Sequence, residues 1–472
     1  MKDYEVANLI SPSDKAPELS PQNVLERRWA HSLARFLPMV SENPFWRFSR
    51  TRSELDASFG WKIHISATIL NACSIVRAVG PALVQNNILF KAPSTLSRLR
   101  ALNSGVVFGY SQIGKLITVF PKSEREFLDL LHILEPLLRH WWNCPAVPFD
   151  IRFGRTCIYY RYGSFTNAED TIPAIGDRGW TIRDTRDARM LEYAVKNDPA
   201  RAYHPPSRRT SPPFPARYLV CEALSQRGKG GVYSAIDVSS SPPRQCVIKE
   251  GRLNGETTWS GRDGRRLIQN EERVLKLLRD KLPVPRILDS FESGGNYYLV
   301  LEQIEGTRLD RLELRRLTIY SRLELGKRLS AIVETIHGCG WIWRDCKPQN
   351  LLVATNGTLR PIDFEGACPV DSPDPEAWST LTVVNNSGTA RADIESSMLL
   401  DLHQLAVCLS WLLLDPDNSR CGQGDLVSRT LSGAIIAMTD PGSAEEWSAA
   451  AISELISLEL YRLAQSESRA MS

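Results

Sequence analysis

"GWIWRDCKPQNLLV", residues 340–353, sets Asp345, Lys347 and Asn350 in the spacing D-x-K-x-x-N, and "PIDFEGA", residues 361–367, adds Asp363 eighteen residues after Asp345. Moving a phosphoryl group onto a hydroxyl needs an acid that orients the hydroxyl and a cation that neutralises the transferred group. It also needs oxygen ligands for Mg²⁺. Asp345, Lys347, and the pair Asn350 and Asp363 supply those parts in that order.

Working outward, "LSQRGKGGVYSAIDV" at 224–238 places Gly228, Gly230 and Gly231 between two strand-like runs. Such glycines let backbone N–H groups approach phosphates closely, but alone a Gly-rich hairpin turn is the commoner meaning. Lys249 follows in the strand-like "CVIKE", and Glu271 lies on the amphipathic run "LIQNEERVLKLL". A Lys on a strand and a Glu on the next helix can pair and hold the Lys against nucleotide phosphates.

Together these motifs resemble the protein kinase family over 216–472. The resemblance implies a small lobe over 216–304 and a large lobe over 305–472. Asp345 is then the catalytic base, and Asn350 and Asp363 are the metal ligands. Gly228, Gly230, Gly231, Lys249, Glu271 and Lys347 belong to the nucleotide site, which takes ATP or GTP with Mg²⁺. "DLHQLAV" at 401–407 is similar to the buried-Asp helix of the large lobe. The chain departs from the family pattern in Trp343, where His usually precedes Arg-Asp, in Glu365, which turns D-F-G into D-F-E, and in lacking A-P-E.

The other half of the chain holds a second unusual stretch, "FGWKIHIS" at 59–66. Alternation along a strand sends Trp61, Ile63 and Ile65 to one face and Lys62, His64 and Ser66 to the other. Lys62 and His64 then lie on the order of 6–7 Å apart at Cα, two residues at ~3.3 Å each. Further cations sit near strand-like positions: Lys91, Lys115, Arg152 and Arg161. By themselves they are better read as a solvated strand face. Beside a kinase the set has a chemical use. A phosphorylated Ser or Thr carries a leaving group β to an acidic Cα–H. A base and an acid on one strand face can eliminate it, provided burial or neighbouring cations lower the lysine pKa.

"GWKIHISAT", "GKLITVFP" and "RYGSF", with "WRD" and "IDFE" downstream, resemble class III and class IV lanthipeptide synthetases, whose lyase is itself similar to bacterial phosphothreonine lyases. The resemblance implies Lys62 as base, His64 as acid, and Lys91, Lys115, Arg152 and Arg161 as phosphate ligands. The expected fold class is α+β, a phosphothreonine-lyase-like domain followed by a bilobal kinase-like domain. The lyase occupies 1–205 with its core at about 55–168, and 206–215 is a linker. Residues 163–216 as a whole read as linker or extended surface.

The expected activity is a bifunctional peptide dehydratase. It would phosphorylate Ser/Thr of a ribosomal precursor peptide carrying a leader, then eliminate phosphate to dehydroalanine or dehydrobutyrine. The alternative is a Ser/Thr kinase with a non-catalytic phosphopeptide-binding N-terminal domain. The span after Asp401 is only long enough to finish a kinase lobe, so a separate cyclase is expected as a further partner.

Composition sets outer bounds. The 472 residues are 43% apolar and 24% charged with a net charge of +3, values of an ordinary globular protein. No nucleic-acid partner is expected from so weak a charge. The ten cysteines include no C-x-x-C pair, so neither a zinc site nor a disulfide framework is expected. The N-terminus does not read as a signal peptide and no apolar run is long enough to span a bilayer, so a cytoplasmic location is expected.

Overall fold

The computed structural model describes residues 20–166, 171–176, 179–203, 214–371, 398–414, 427–440 and 446–471. The expected linker at 206–215 falls mostly outside them. The structure is mixed helix and sheet, in agreement with the α+β reading, and divides into two compact units. One comprises 1–243, 248–266 and 291–298, and the other 244–247, 267–290 and 299–472.

In the first unit, Ser20 caps helix α1 (Pro21–Phe36) by accepting from the Asn23 N–H, and Pro21 opens the first turn. Strands β1 (Met39–Val40), β2 (Trp46–Phe48), β3 (Phe59–Ile65), β4 (Leu89–Pro93), β5 (Ile117–Phe120), β6 (Ile151–Arg152) and β7 (Ile158–Ser164) form one sheet in the order β1-β2-β4-β5-β3-β7-β6. Every neighbouring pair is antiparallel. Central β3 therefore has β5 on one side and β7 on the other.

Trp61, Ile63 and Ile65 of β3 join Phe90, Val119 and Tyr160 in the core, as alternation predicts. Helices α2 (Ala72–Gln85) and α4 (Glu124–Leu138) cover that face, with Phe127 stacked on Trp61 at 5.6 Å. Helix α3 (Leu96–Ser104) lies between them in sequence. The opposite face is not the solvated one that a lone strand suggests: Lys62 is 8% exposed, His64 3% and Ser66 0%.

The stretch read as a linker contains real elements. Strands β8 (Thr171–Pro173) and β9 (Thr181–Arg183) form a hairpin, and helix α5 (Ala188–Lys196) follows, capped by Asp187. Past it, β10 (Tyr218–Gln226) and β11 (Gly231–Asp237) pair antiparallel around the Gly-rich turn. With β12 (Arg244–Gly251), β13 (Ile287–Ser293) and β14 (Asn296–Glu302) they form a sheet in the order β10-β11-β12-β14-β13. Helix α6 (Gly264–Leu278) follows β12 in sequence.

In the second unit, β15 (Gly306–Arg308) precedes helix α7 (Ile319–Gly338). Helices α8 (Met398–Leu413) and α10 (Ala449–Met471) pack on α7, and α9 (Arg429–Thr439) packs on α8 and α10. Strand β16 (Trp341–Ile342) pairs with β19 (Cys368–Pro369), and β17 (Leu351–Ala354) pairs with both β15 and β18 (Leu359–Pro361). Two short pairings thus bracket residues 343–350 and 362–367, the loops that carry Asp345 and Asp363. Among the described residues no helix is long and apolar enough to cross a membrane.

Candidate active sites

Register decides which side chains meet on the first sheet. Lys62 lies directly across from Arg161, and His64 across from Thr118, which itself faces Lys91. Cross-strand partners share a face. The resulting pocket is lined by Trp46, Lys62, His64, Lys91, Lys115 and Arg161, with Gln112, Thr118, Phe120, Ser164, Phe165 and Arg186 completing the wall. Five of the six expected lyase residues, all but Arg152, meet there: Lys62, His64, Lys91, Lys115 and Arg161.

Arg152 is not brought to this pocket. Its guanidinium donates to the Thr156 carbonyl at 2.9 Å and to the Trp142 carbonyl. It sits on β6, the sheet edge, where local carbonyls are nearer than the pocket.

The Lys62 ammonium position is held by the Ser164 carbonyl at 2.7 Å. Burial, reinforced by the Arg161 charge, drives its pKa well below the lysine norm. Burial likewise lowers Lys91 to about 8 and Lys115 to about 8. Lys91 also lies over the Trp46 ring at 4.1 Å.

His64 Nδ1 meets Asp150 Oδ2 at 2.5 Å, with the Asp150 carboxylate fully enclosed. Burial outweighs that partner and lowers His64 to about 3, so the resting imidazole is neutral. The Asp150 pKa also moves down: burial opposes this, but His64 and Lys115 overcome it. An ionised Asp150 takes the Nδ1 proton of His64 as a hydrogen bond and leaves Nε2 as the other working nitrogen.

Asp184, from the segment after β9, bonds the Arg161 guanidinium and accepts the Ser164 N–H at 2.9 Å. Sequence reasoning missed Asp150, Asp184 and Arg186, although the Asp150 position, next to a strand carrying Arg152, was a usable signal.

In the second unit, Asp345 Oδ1 pairs with Lys347 Nζ at 2.7 Å, and Asn350 Nδ2 donates to Asp345 Oδ2 at 2.6 Å. Burial, then the nearby Asp363 charge, pushes the Asp345 carboxyl up, against the pull of Lys347. Asp401, fully buried, accepts from the Trp343 N–H at 2.7 Å, the Arg344 N–H at 2.6 Å and His337 Nε2 at 2.9 Å. It anchors the loop from beneath.

Glu271, Asp363 and Glu365 bring carboxylate oxygens within 4.8 Å of one another. An all-oxygen set of carboxylates suits Mg²⁺. Glu365, noted in the sequence only as a departure from D-F-G, thus joins the metal candidates Asn350 and Asp363.

In the first unit, Lys249 lies on β12. Gly228 and Gly230 belong to a tight hairpin in which Arg227 and Gly230 exchange N–H···O bonds of 2.9 and 3.3 Å. The Gly228 N–H donates to the Ser104 carbonyl at 2.9 Å. A Cβ on Gly228 would lie 1.6 Å from the Asn103 oxygen, and one on Gly230 would lie 1.7 Å from the Glu250 oxygen. Close backbone approach therefore requires glycine at both positions, and Gly231 pairs with Gln226 at the start of β11.

Two family models match this chain: the RamC N-terminal domain over residues 38–222 and the protein kinase domain over 222–387. Along the chain, the match to the RamC N-terminal domain is followed by the match to the protein kinase domain. The order agrees with the lyase–kinase order read from the motifs. A probable SapB synthase of Streptomyces coelicolor is 28% identical over 382 residues, 76% of this chain and 40% of that protein. Serine/threonine-protein kinase B of Synechocystis is 30% identical over 152 residues, 31% of this chain and 26% of that protein. A probable casein kinase I homologue of Encephalitozoon cuniculi is 30% identical over 154 residues, 32% of this chain and 46% of that protein. The chain thus spans less than half the length of each of these relatives.

Proposed function

We propose that this chain is a bifunctional peptide dehydratase of the lanthipeptide synthetase type, acting on Ser and Thr of a ribosomally made precursor peptide. The observation that carries the reading is the first-unit pocket. It gathers Lys62, His64, Lys91, Lys115, Arg161 and Arg186 in one place, in a chain that also bears a kinase's D-x-K-x-x-N loop. The likeness to a probable SapB synthase supports a peptide-modifying role.

In the first reaction Asp345 orients the substrate hydroxyl and takes its proton as the oxygen bonds to the γ-phosphorus of ATP or GTP, and the nucleoside diphosphate leaves. Lys347, Lys249 and the Gly228–Gly231 turn are assigned to the phosphates, with Glu271 assigned to hold Lys249. Mg²⁺, held by Asn350 and Asp363, would neutralise charge on the phosphates.

In the second reaction neutral Lys62 takes the Cα proton, the Cβ–O bond breaks, and inorganic phosphate departs. His64 protonates the leaving oxygen. An acid whose resting pKa is about 3 must be charged by its substrate. A phosphoryl dianion among these cations does this, because it favours imidazolium and offsets the burial that depressed His64. Lys91, Lys115, Arg161 and Arg186 bind the dianion and stabilise the departing charge. The expected partner is the precursor peptide with its leader. A cytoplasmic setting fits nucleotide-dependent chemistry.

The test is mass spectrometry of a Ser/Thr peptide incubated with nucleotide, Mg²⁺ and protein. Dehydration reads as a loss of about 18 Da, and phosphorylation alone as a gain of about 80 Da. Lys62→Ala and His64→Ala are expected to accumulate phosphopeptide while the kinase keeps working. Wild-type protein that stops at phosphopeptide would replace this reading with a kinase carrying a phosphopeptide-binding domain.

A further inference from the structure

Asn103, buried near the end of α3, spends both ends of its side chain on the first-unit sheet. Its Nδ2 donates to the Ala67 carbonyl at 2.9 Å, just past β3. Its Oδ1 accepts the Gly114 N–H at 3.0 Å, just before Lys115. One amide thus joins the strand of Lys62 and His64 to the loop of Lys115. An apolar side chain in its place would leave a buried carbonyl and a buried N–H without partners.

The main chain at the same place carries the Gly-rich turn. The Ser104 carbonyl accepts the Gly228 N–H at 2.9 Å, and the Asn103 carbonyl is what a Cβ on Gly228 would strike. The turn therefore rests on the end of α3, and the Asn103 amide pins that end to the pocket. A second brace runs beside it. Arg252, close after Lys249 in sequence, donates to the Arg227 carbonyl at 2.9 Å and to Gln226 Oε1 at 2.6 Å, and lies over the Tyr110 ring at 5.5 Å. Tyr110 opens the short turn Tyr110–Gln112, and Gln112 lines the pocket. Trp259, from the segment between β12 and α6, is buried in the same core as Trp61 and Ile63.

We propose that Asn103 is a positioning residue of the elimination pocket, and that through it nucleotide at the Gly-rich turn and phosphopeptide at the pocket tighten each other's binding. The proposal rests on the dehydratase reading above. Its physical content is an ordering cost shared by two ligands. Nucleotide phosphates on the turn restrain Gly228, and with it the main chain of Asn103 and Ser104. The Asn103 amide passes that restraint to Gly114 and so to Lys115. Phosphopeptide then meets a pocket that has less freedom left to lose. Linkage makes the effect equal in the reverse direction.

The experiment follows elimination from a synthetic phosphoserine peptide by the full chain, with and without Mg²⁺ and adenylyl imidodiphosphate, which does not give up its terminal phosphoryl group. Elimination reports the Lys62 pocket alone. Saturating nucleotide is expected to lower KM about fivefold with kcat nearly unchanged, a coupling at the modest end of those found between sites. Hydrogen exchange at the Gly114 amide is expected to slow under the same conditions. Asn103→Ala is expected to lose the nucleotide effect. Tyr110→Ala, which removes a half-buried ring and spares the buried amide, is expected to lose part of it. Lys249→Ala is expected to need far more nucleotide for the same effect, which ties the effect to the nucleotide site. Nucleotide that entered the pocket itself would instead raise KM. A wild-type KM that nucleotide leaves alone or raises would overturn the coupling, whether or not Asn103→Ala folds. A full effect in folded Asn103→Ala would overturn the role given to Asn103. Wild-type protein that phosphorylates peptide but eliminates no phosphate would overturn the dehydratase reading and the coupling with it.

Discussion

Lys62 and His64 owe their chemistry to what surrounds them more than to their own identities. Each is buried on a face that also carries Lys91, Lys115 and Arg161, and burial removes the water that would otherwise keep the lysines charged. Lys91 and Lys115, both lowered to about 8, are therefore poised at the edge of the physiological range. The sign of the pH dependence follows. A phosphoserine peptide is dianionic above about pH 7, its second pKa being near 6. Below pH 8 both lysines are protonated and attract it; as pH rises through 8 they lose charge and the attraction fades. Phosphopeptide binding to the Lys62→Ala protein, which holds its ligand without turnover, is expected to weaken roughly tenfold or more between pH 7.5 and 9.5. Near pH 8 binding should also take up protons, since the dianion raises the pKa of both lysines. Calorimetry in buffers of different ionisation enthalpy measures both effects. A flat or rising affinity would remove Lys91 and Lys115 from the phosphate site.

Elements explain which parts of this were legible beforehand. β3 is seven residues long, enough for alternation to declare its two faces, and Lys62 and His64 followed from it. The D-x-K-x-x-N loop was legible because its roles are fixed by spacing within one short segment. The hairpin of β8 and β9 was not, because strands of three residues are too short to show a period of two, and so Asp184 and Arg186 were hidden in what read as linker. Arg152 shows the opposite failure. Its register partner Tyr159 is itself the partner of His64, so the face was right, but at the sheet edge the guanidinium found the Trp142 and Thr156 carbonyls instead. The β10–β11 hairpin offers a test at this scale. Gly228→Ala sets a Cβ against the Asn103 carbonyl, which is backbone and cannot swing away. Overpacking of that kind costs about 1–3 kcal/mol, a fall of several degrees in melting temperature. It should also displace the turn assigned to nucleotide phosphates, so that phosphorylation slows. Calorimetric melting of Gly228→Ala that matches wild type would show that the approach at this turn is looser than described.

At the scale of the whole molecule, the proposed dehydratase uses separate residues for its two reactions and one shared intermediate. Asp345 belongs to one compact unit and Lys62 to the other, and no side chain is assigned to both steps. On the proposed reading, the phosphopeptide made at Asp345 is the substrate for Lys62, so the product of one site must reach the other. Asp345→Asn should therefore abolish phosphorylation, yet still convert a synthetic phosphopeptide to the dehydrated form. Lys62→Ala should stop at phosphopeptide. Neither substitution removes a residue of the apolar core, so both proteins are expected to fold. Mixing the two should then restore dehydration in trans, because phosphopeptide released by the Lys62→Ala protein can enter the intact pocket of its companion. The measurement is mass spectrometry over time, with a transient phosphopeptide rising before the dehydrated product appears. If Asp345→Asn cannot process the synthetic phosphopeptide, the two-site arrangement fails. If it can, but the mixture still halts at phosphopeptide, the intermediate is not released, and transfer between the sites must occur within a single chain.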